Sequence, residues 1–222
     1  MGQTVLEMIG IKKSFAGIYA LNGIDFSLEL GEVHALLGEN GAGKTTTIGC
    51  ILNTITKDSG TVKLFGQEML DADTSLREKI GVVYDGDNFP PYWTARQLSE
   101  VMEGLYTQWD NSLFQKYLED FQLPAKQKIK HYSRGMTMKL AIAAALAHHP
   151  ELLILDEATS GLDPIMRDEM LDVFLEFVQE ENHSILLSSH ITSDLEKVAD
   201  YITFIHNGKL IMTVSKNDLV YN

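Results

Sequence analysis

Lys44 and Thr45 close the run Gly38-Glu39-Asn40-Gly41-Ala42-Gly43, in which two glycines flank four residues ahead of Lys-Thr. Residues of these types at this spacing can wrap a phosphate. The glycines let successive backbone N–H groups turn inward, the lysine adds a point charge, and the threonine offers a hydroxyl to Mg²⁺. Far along the chain, Asp156 and Glu157 end the apolar run Leu152-Leu153-Ile154-Leu155. Two carboxylates at the end of a buried strand are costly unless a cation or a donor meets them, and a metal held by phosphates is such a partner. Asp156 is then expected to order the metal, leaving Glu157 to polarise a water toward the terminal phosphate. His190 ends a second apolar run, Ile185-Leu186-Leu187-Ser188-Ser189. A strand-end histidine is more often a plain hydrogen-bonded residue than a catalytic one, but open α/β sheets place their ligands at such ends.

These groups need particular elements beneath them. Val33-His34-Ala35-Leu36-Leu37 reads as a buried strand feeding the glycine loop, and Thr45-Thr46-Thr47-Ile48-Gly49-Cys50-Ile51-Leu52 as a helix opening from it. The positive end of that helix would face the phosphates. The unbroken apolar runs before Asp156 and His190 suit strands buried on both faces of a parallel sheet. Val5–Ile11, Ile24–Leu30 and Thr61–Phe65 read as further strands of an antiparallel sheet, with a turn expected at Asn22-Gly23. From about residue 85 to 150 the pattern becomes helical. One face carries Leu98, Val101, Met102 and Leu105, and a second carries Leu113, Phe114, Tyr117, Leu118 and Phe121. An alanine-rich helix from Gly135 through Leu146 follows. Pro164 suits the first position of another helix running to Gln179. Ser193-Asp194-Leu195-Glu196 reads as a capping box, and Asn207-Gly208 as a hairpin turn.

Together with Tyr132-Ser133-Arg134-Gly135-Met136 and Ser160-Gly161-Leu162-Asp163, this series resembles the nucleotide-binding subunit of an ATP-binding-cassette (ABC) transporter. The resemblance covers essentially the whole chain and leans toward bacterial exporter-type cassettes for drugs, peptide antibiotics or lipids. It makes Gly38–Thr45 the Walker A loop, Leu152–Asp156 the Walker B strand and Glu157 the catalytic glutamate. Ser160–Asp163 becomes the D-loop, His190 the switch histidine and Tyr132–Met136 the signature. Phe15 lies where the family's adenine-stacking aromatic stands. The implied fold is an α/β phosphate-loop core with a mostly parallel sheet, an N-terminal antiparallel β-subdomain and an inserted helical subdomain. The core would span 1–84 and 151–222, and the helical insertion 85–150. The implied cofactors are ATP and Mg²⁺. Lys44 and His190 would join Glu157 in catalysis. Glu39, Asn40, Gly41, Ala42, Gly43 and Thr46 would line the nucleotide. Two such domains would dimerise head to tail, with Ser133 and Gly135 of one meeting the ATP of the other. Closure and reopening would drive a membrane permease, placing the chain on the cytoplasmic face of the membrane. The aromatics Phe89, Tyr92 and Trp93, with Tyr106 and Trp109, fall where a groove for a permease helix is expected; local packing is the competing reading, favoured for the last two.

The chain departs from the family pattern at two places. Arg134 and Met136 replace a glycine and a glutamine of the signature. The Arg134 guanidinium either reaches the phosphates of the opposite subunit or points into solvent. Asp85 replaces a glutamine that follows Ile80-Gly81-Val82-Val83-Tyr84. Its carboxylate is either a metal-shell group beside Thr45 and Asp156 or a loop residue with no metal role, and Asp87 is a second candidate.

At 222 residues the chain suits one good-sized core, or one core plus a subdomain. Its net charge of −13 disfavours phosphate backbones, so no nucleic-acid partner is expected. The single Cys50 excludes an internal disulfide and suits a reducing compartment. No secretory leader, spanning helix or C-terminal regulatory module is expected. Two other functions compete with transport. A non-transport cassette ATPase acting on DNA or ribosomes would call for coiled coils, zinc modules or basic surfaces. A phosphate-loop kinase would need an acceptor site and no signature.

Overall fold

Val33–Leu37 (β3), Leu152–Asp156 (β7) and Ser184–Ser189 (β8) are buried along their whole lengths, and mostly apolar, because each is covered on both faces. They form the middle of a six-stranded sheet ordered β10-β9-β3-β8-β7-β6, completed by Ile80–Tyr84 (β6), Tyr201–His206 (β9) and Lys209–Ser215 (β10). The sheet is parallel except for the β9–β10 hairpin. The computed structural model describes residues 3–68, 74–86, 88–180, 182–216 and 218; Asp87 lies outside them. A second, antiparallel sheet runs β2-β1-β4-β5, from Ile18–Glu29 (β2), Thr4–Phe15 (β1), Ser59–Leu64 (β4) and Gln67–Glu68 (β5).

The helices are Lys44–Ile51 (α1), Thr74–Glu78 (α2), Ala95–Leu105 (α3), Asn111–Asp120 (α4), Arg134–Leu146 (α5), Pro164–Gln179 (α6) and Thr192–Val198 (α7). On α1, Ile48, Cys50 and Ile51 join Val5, Leu6 and Leu28 of the antiparallel sheet and Leu36 and Ile154 of the parallel one in a single core. A second core on the other face brings in α5, α6 and α7 through Met138, Ile142, Phe174 and Leu195. A third sits among the helices, with Leu98, Phe114, Leu118 and Leu140. Helix α5 belongs to both of the last two. Its alanines 141 and 145 face the sheet, while 143 and 144 face α3 and α4. Small side chains on both sides allow that close approach. The expected α/β phosphate-loop architecture with antiparallel sheet and helical insertion is the one observed.

Three local expectations are corrected. Asn22-Gly23 is no turn: Ile11 pairs with Ile24 and Lys12 with Asn22, so Gly23, at φ 81°, is an extra residue bulging out of β2. The β1–β2 turn is Ala16-Gly17, both at positive φ. Ser193 does not cap α7; Ile191 is its N-cap and no side chain caps it. Buried Asp194 instead accepts the Thr159 hydroxyl at 2.7 Å. On α3, Leu98 is buried, but Val101 and Leu105 are exposed. The buried face turns through Ala95 and Ser99, and Thr94 and Gln97 supply a capping box that the apolar pattern did not reveal. The Asn207-Gly208 turn is present, with both residues at positive φ as a two-residue hairpin requires.

Candidate active site

The parallel register aligns the strand ends. Leu37 pairs with Ser189, Asp156 with Ser188, and Tyr84 with Asp156. The segments that continue from these ends carry Gly38, His190, Glu157 and Asp85. Four separate stretches of sequence therefore emerge along one edge, the usual ligand edge of an open α/β sheet.

The glycine loop runs from that edge into α1. Gly43 is the N-cap, at φ 115°, a conformation that a residue with a Cβ resists. Gly38 is needed for space: a Cβ there would collide with the carbonyl of Ile205 on β9. Asn40, Gly41, Gly43, Lys44, Thr45 and Thr46 line a cavity of about 150 Å³, together with Ala20 and Glu157. Thr45 is exposed, with its hydroxyl at the first turn of α1.

Lys44 is only 5% exposed. Its ammonium donates to the carbonyls of Gly38 at 2.6 Å and Glu39 at 3.1 Å, and lies 3.0 Å from Glu157 Oε1. The other oxygen of Glu157 is 2.7 Å from His190 Nδ1. Glu157 holds a left-handed backbone at φ 53°, which costs about 1 kcal/mol or more for a residue with a side chain. Its N–H donates to both the carbonyl and the hydroxyl of Ser188, fixing that conformation. The Ser188 hydroxyl in turn donates to Asp156 Oδ1 at 2.6 Å. Ser188 thus orients both acids, a role the sequence reading missed. Its signal was a small polar residue inside an otherwise apolar run.

The sequence-chosen residues fall into two groups. Lys44, Thr45, Asp156, Glu157 and His190 gather around the glycine loop. Phe15 is half-exposed at the end of β1, opposite Ile18, on the hairpin that also places Ala20 in the cavity. Ser133 and Gly135 stand apart at the start of α5. Ser133 is its N-cap, accepting from the Met136 N–H at 3.2 Å. Gly135 lies under the thioether of Met166, and any Cβ would strike it. Asp85 and Arg134, treated separately in the sequence, are bound to each other: Arg134 Nη2 donates to Asp85 Oδ1 at 2.7 Å. Of the aromatics, Trp93 and Trp109 pack around the helical core, Tyr106 stacks on His148, and Tyr92 is exposed.

Among the described residues no cluster of three or more acidic, histidine or cysteine side chains is preformed for a metal. Asp156 and Thr45 are oxygen donors of the kind Mg²⁺ takes when phosphates and water complete its shell. Residues 21–160 match the ABC transporter family. The chain belongs to that family. It is 33% identical over 210 residues to the bacitracin transport ATP-binding protein BcrA of Bacillus licheniformis, covering 94% of this chain and 69% of BcrA. It is 35% identical over 212 residues to the lantibiotic transport ATP-binding protein SrtF of Streptococcus pyogenes, covering 94% and 90%. A solved ATP-binding subunit of an ABC transporter superposes with a TM-score of 0.87 at 26% identity, over 97% of this chain and 91% of that one. The fold is also that of the dimeric cassette MJ0796 bound to ADP and phosphate, with a TM-score of 0.85 at 21% identity over 95% and 98%. As an ABC cassette the chain binds ATP and is the ATPase subunit of a transporter. No helix among the described residues is long and apolar enough to cross a membrane.

Proposed function

We propose that this ABC subunit hydrolyses ATP at Glu157, in a site that two copies or two related cassettes complete together, and that it powers export through a separate membrane permease. The observation that carries the reading is the Glu157 carboxylate held between Lys44 at 3.0 Å and His190 at 2.7 Å. An incoming triphosphate competes for the Lys44 ammonium. Glu157 is then released toward water, still oriented by His190. Gly38–Thr46 hold the phosphates through backbone N–H groups and the α1 N-terminus. Phe15, with Ala20 nearby, offers the adenine a hairpin surface. Mg²⁺, held by Thr45, Asp156 and the phosphates, would neutralise charge developing on the transferred group. Ser133, exposed at the mouth of α5, and Gly135, buried beneath Met166 in the single chain, would meet the ATP of the second cassette.

The relatives' names, bacitracin transport for BcrA, lantibiotic transport for SrtF and Nod factor export for the Burkholderia protein, support the export reading. The chain would then lie on the cytoplasmic face of the membrane. Glu157→Gln tests the assignment. It should lower turnover by about 10²–10⁴-fold, the range of one general base, while ATP binding persists and closed dimers accumulate in gel filtration. Unchanged turnover would remove Glu157 from the role.

A further inference from the structure

Two of the three positions at which the sequence departs from its family pattern, Asp85 and Arg134, meet in space. Asp85 directly follows β6, and Arg134 is the first residue of α5. Their side chains make a 2.7 Å ion pair across 49 residues of chain. A cation at the first position of a helix opposes the helix dipole, so a carboxylate beside it removes an unfavourable charge. The guanidinium also lies on Gly161, in the loop between β7 and α6. That glycine holds φ 68°, and a Cβ on it would come within 2.7 Å of Arg134 Cζ and Nη1. Three loops therefore share one guanidinium.

We propose that Arg134 and Asp85 act as a positioning pair, tying the acidic strand end of β7 to the α5 mouth that faces the nucleotide of a second cassette. The proposal rests on the shared-site reading above. The link is short: Asp156 is the register partner of Tyr84, Tyr84 precedes Asp85, and Arg134 follows Ser133. With its guanidinium on Asp85 and Gly161, Arg134 is held within its own subunit. Ser133 and the Gly135 N–H are left to face the opposite phosphates. In the single chain both partners are half-exposed, so water screens the pair and it adds little to stability. When a second cassette covers the α5 mouth, water leaves and the same pair strengthens. Its contribution therefore falls on the closed, hydrolysing state.

The full chain would be compared as wild type, Asp85→Asn, Arg134→Gln, the double variant and Asp85→Glu. Each would be measured for kcat, KM for ATP, Mg²⁺ dependence and thermal unfolding. Each charge-removing single variant should lose about tenfold in kcat, the effect of one charge-assisted hydrogen bond. Its KM, Mg²⁺ requirement and melting temperature should stay near wild type. The double variant should be no slower than the worse single one, and Asp85→Glu should keep most of the rate. Losses that multiply in the double variant would overturn the pairing. So would an Asp85→Asn defect repaired by excess Mg²⁺, which would make Asp85 a metal-shell residue. A raised KM with intact kcat in Arg134→Gln would place the guanidinium on nucleotide instead. A wild-type chain without ATPase activity would overturn the function on which the pair depends.

Discussion

Lys44 is buried and its ammonium is met by two loop carbonyls and a carboxylate, whereas Ser133, at the start of α5, is exposed and bonds only within its own helix turn. On the reading proposed above, these residues belong to the same chemistry. The phosphate-loop half is completed within the chain, by Ser188 beneath the acids, Ile205 against Gly38 and Ala20 over Gly43. The α5 half is finished only as a surface. A helix N-terminus left open in this way has N–H groups to spare for an anion that its own subunit does not bring. The comparison teaches that interior packing builds the phosphate-loop half, with Glu157 already held between Lys44 and His190, while on the proposed reading the α5 half acts only against a partner.

Lys44→Ala and Ser133→Arg break that comparison most sharply. Lys44→Ala should abolish ATP binding to the isolated chain, read by nucleotide fluorescence or calorimetry, because it removes the charge nearest the phosphates. Ser133→Arg should leave that binding near wild type and abolish turnover. Mixed together, the two inactive variants should regain up to about a quarter of wild-type activity, since random pairing makes half the dimers mixed and each mixed dimer has one intact site. A mixture as inactive as its components, with mixed dimers present, would count against shared sites.

A smaller effect separates the buried half by pH. His34, on the strand that feeds the glycine loop, is enclosed against Phe26 and hydrogen-bonds Thr203 at 2.7 Å. Burial lowers its pKa from 6.5 to about 4. Above pH 6.5 the neutral ring adds no pH dependence. As pH falls from 6.5 toward 4, the unfolded chain takes up a proton that the folded chain refuses, so stability declines, by about 3 kcal/mol at most. His148, buried against the Ile80 carbonyl, is shifted in the same direction. Denaturant titrations between pH 7 and 4.5 should show the decline, and His34→Gln should flatten part of it. A slope unchanged in the variant would assign the acid sensitivity elsewhere.

The buried strands and the glycine loop were legible because their physics is local. An apolar run of four residues ahead of Asp156, or a glycine-spaced turn before Lys44, has few alternative conformations. Legibility failed where the partner is distant in sequence. Asn22-Gly23 has the composition of a turn, yet pairing with Lys12 and Ile11 makes it a bulge. Ser193-Asp194-Leu195-Glu196 looks like a capping box, yet Ile191 is the N-cap and Thr159 claims Asp194. Asp85 and Arg134 each read as an isolated oddity, and only the fold joins them. Val101 and Leu105 show the converse: helical spacing promised burial, but α4 and α5 cover a face one step around the helix, through Ala95, Leu98 and Ser99.

The turn at Asn207-Gly208 sets an order of events during synthesis. Gly208 donates its N–H to the carbonyl of Ala42 in the glycine loop and accepts from Asn22, and its missing Cβ makes room for the Ala20 carbonyl. A ribosome delivers Lys44 long before residue 208 has left the exit tunnel. Between the synthesis of Lys44 and that of Gly208 the nascent chain therefore carries a nucleotide loop without its brace. Chains halted before the β9–β10 hairpin should bind ATP poorly, and chains extended past it should acquire that capacity abruptly.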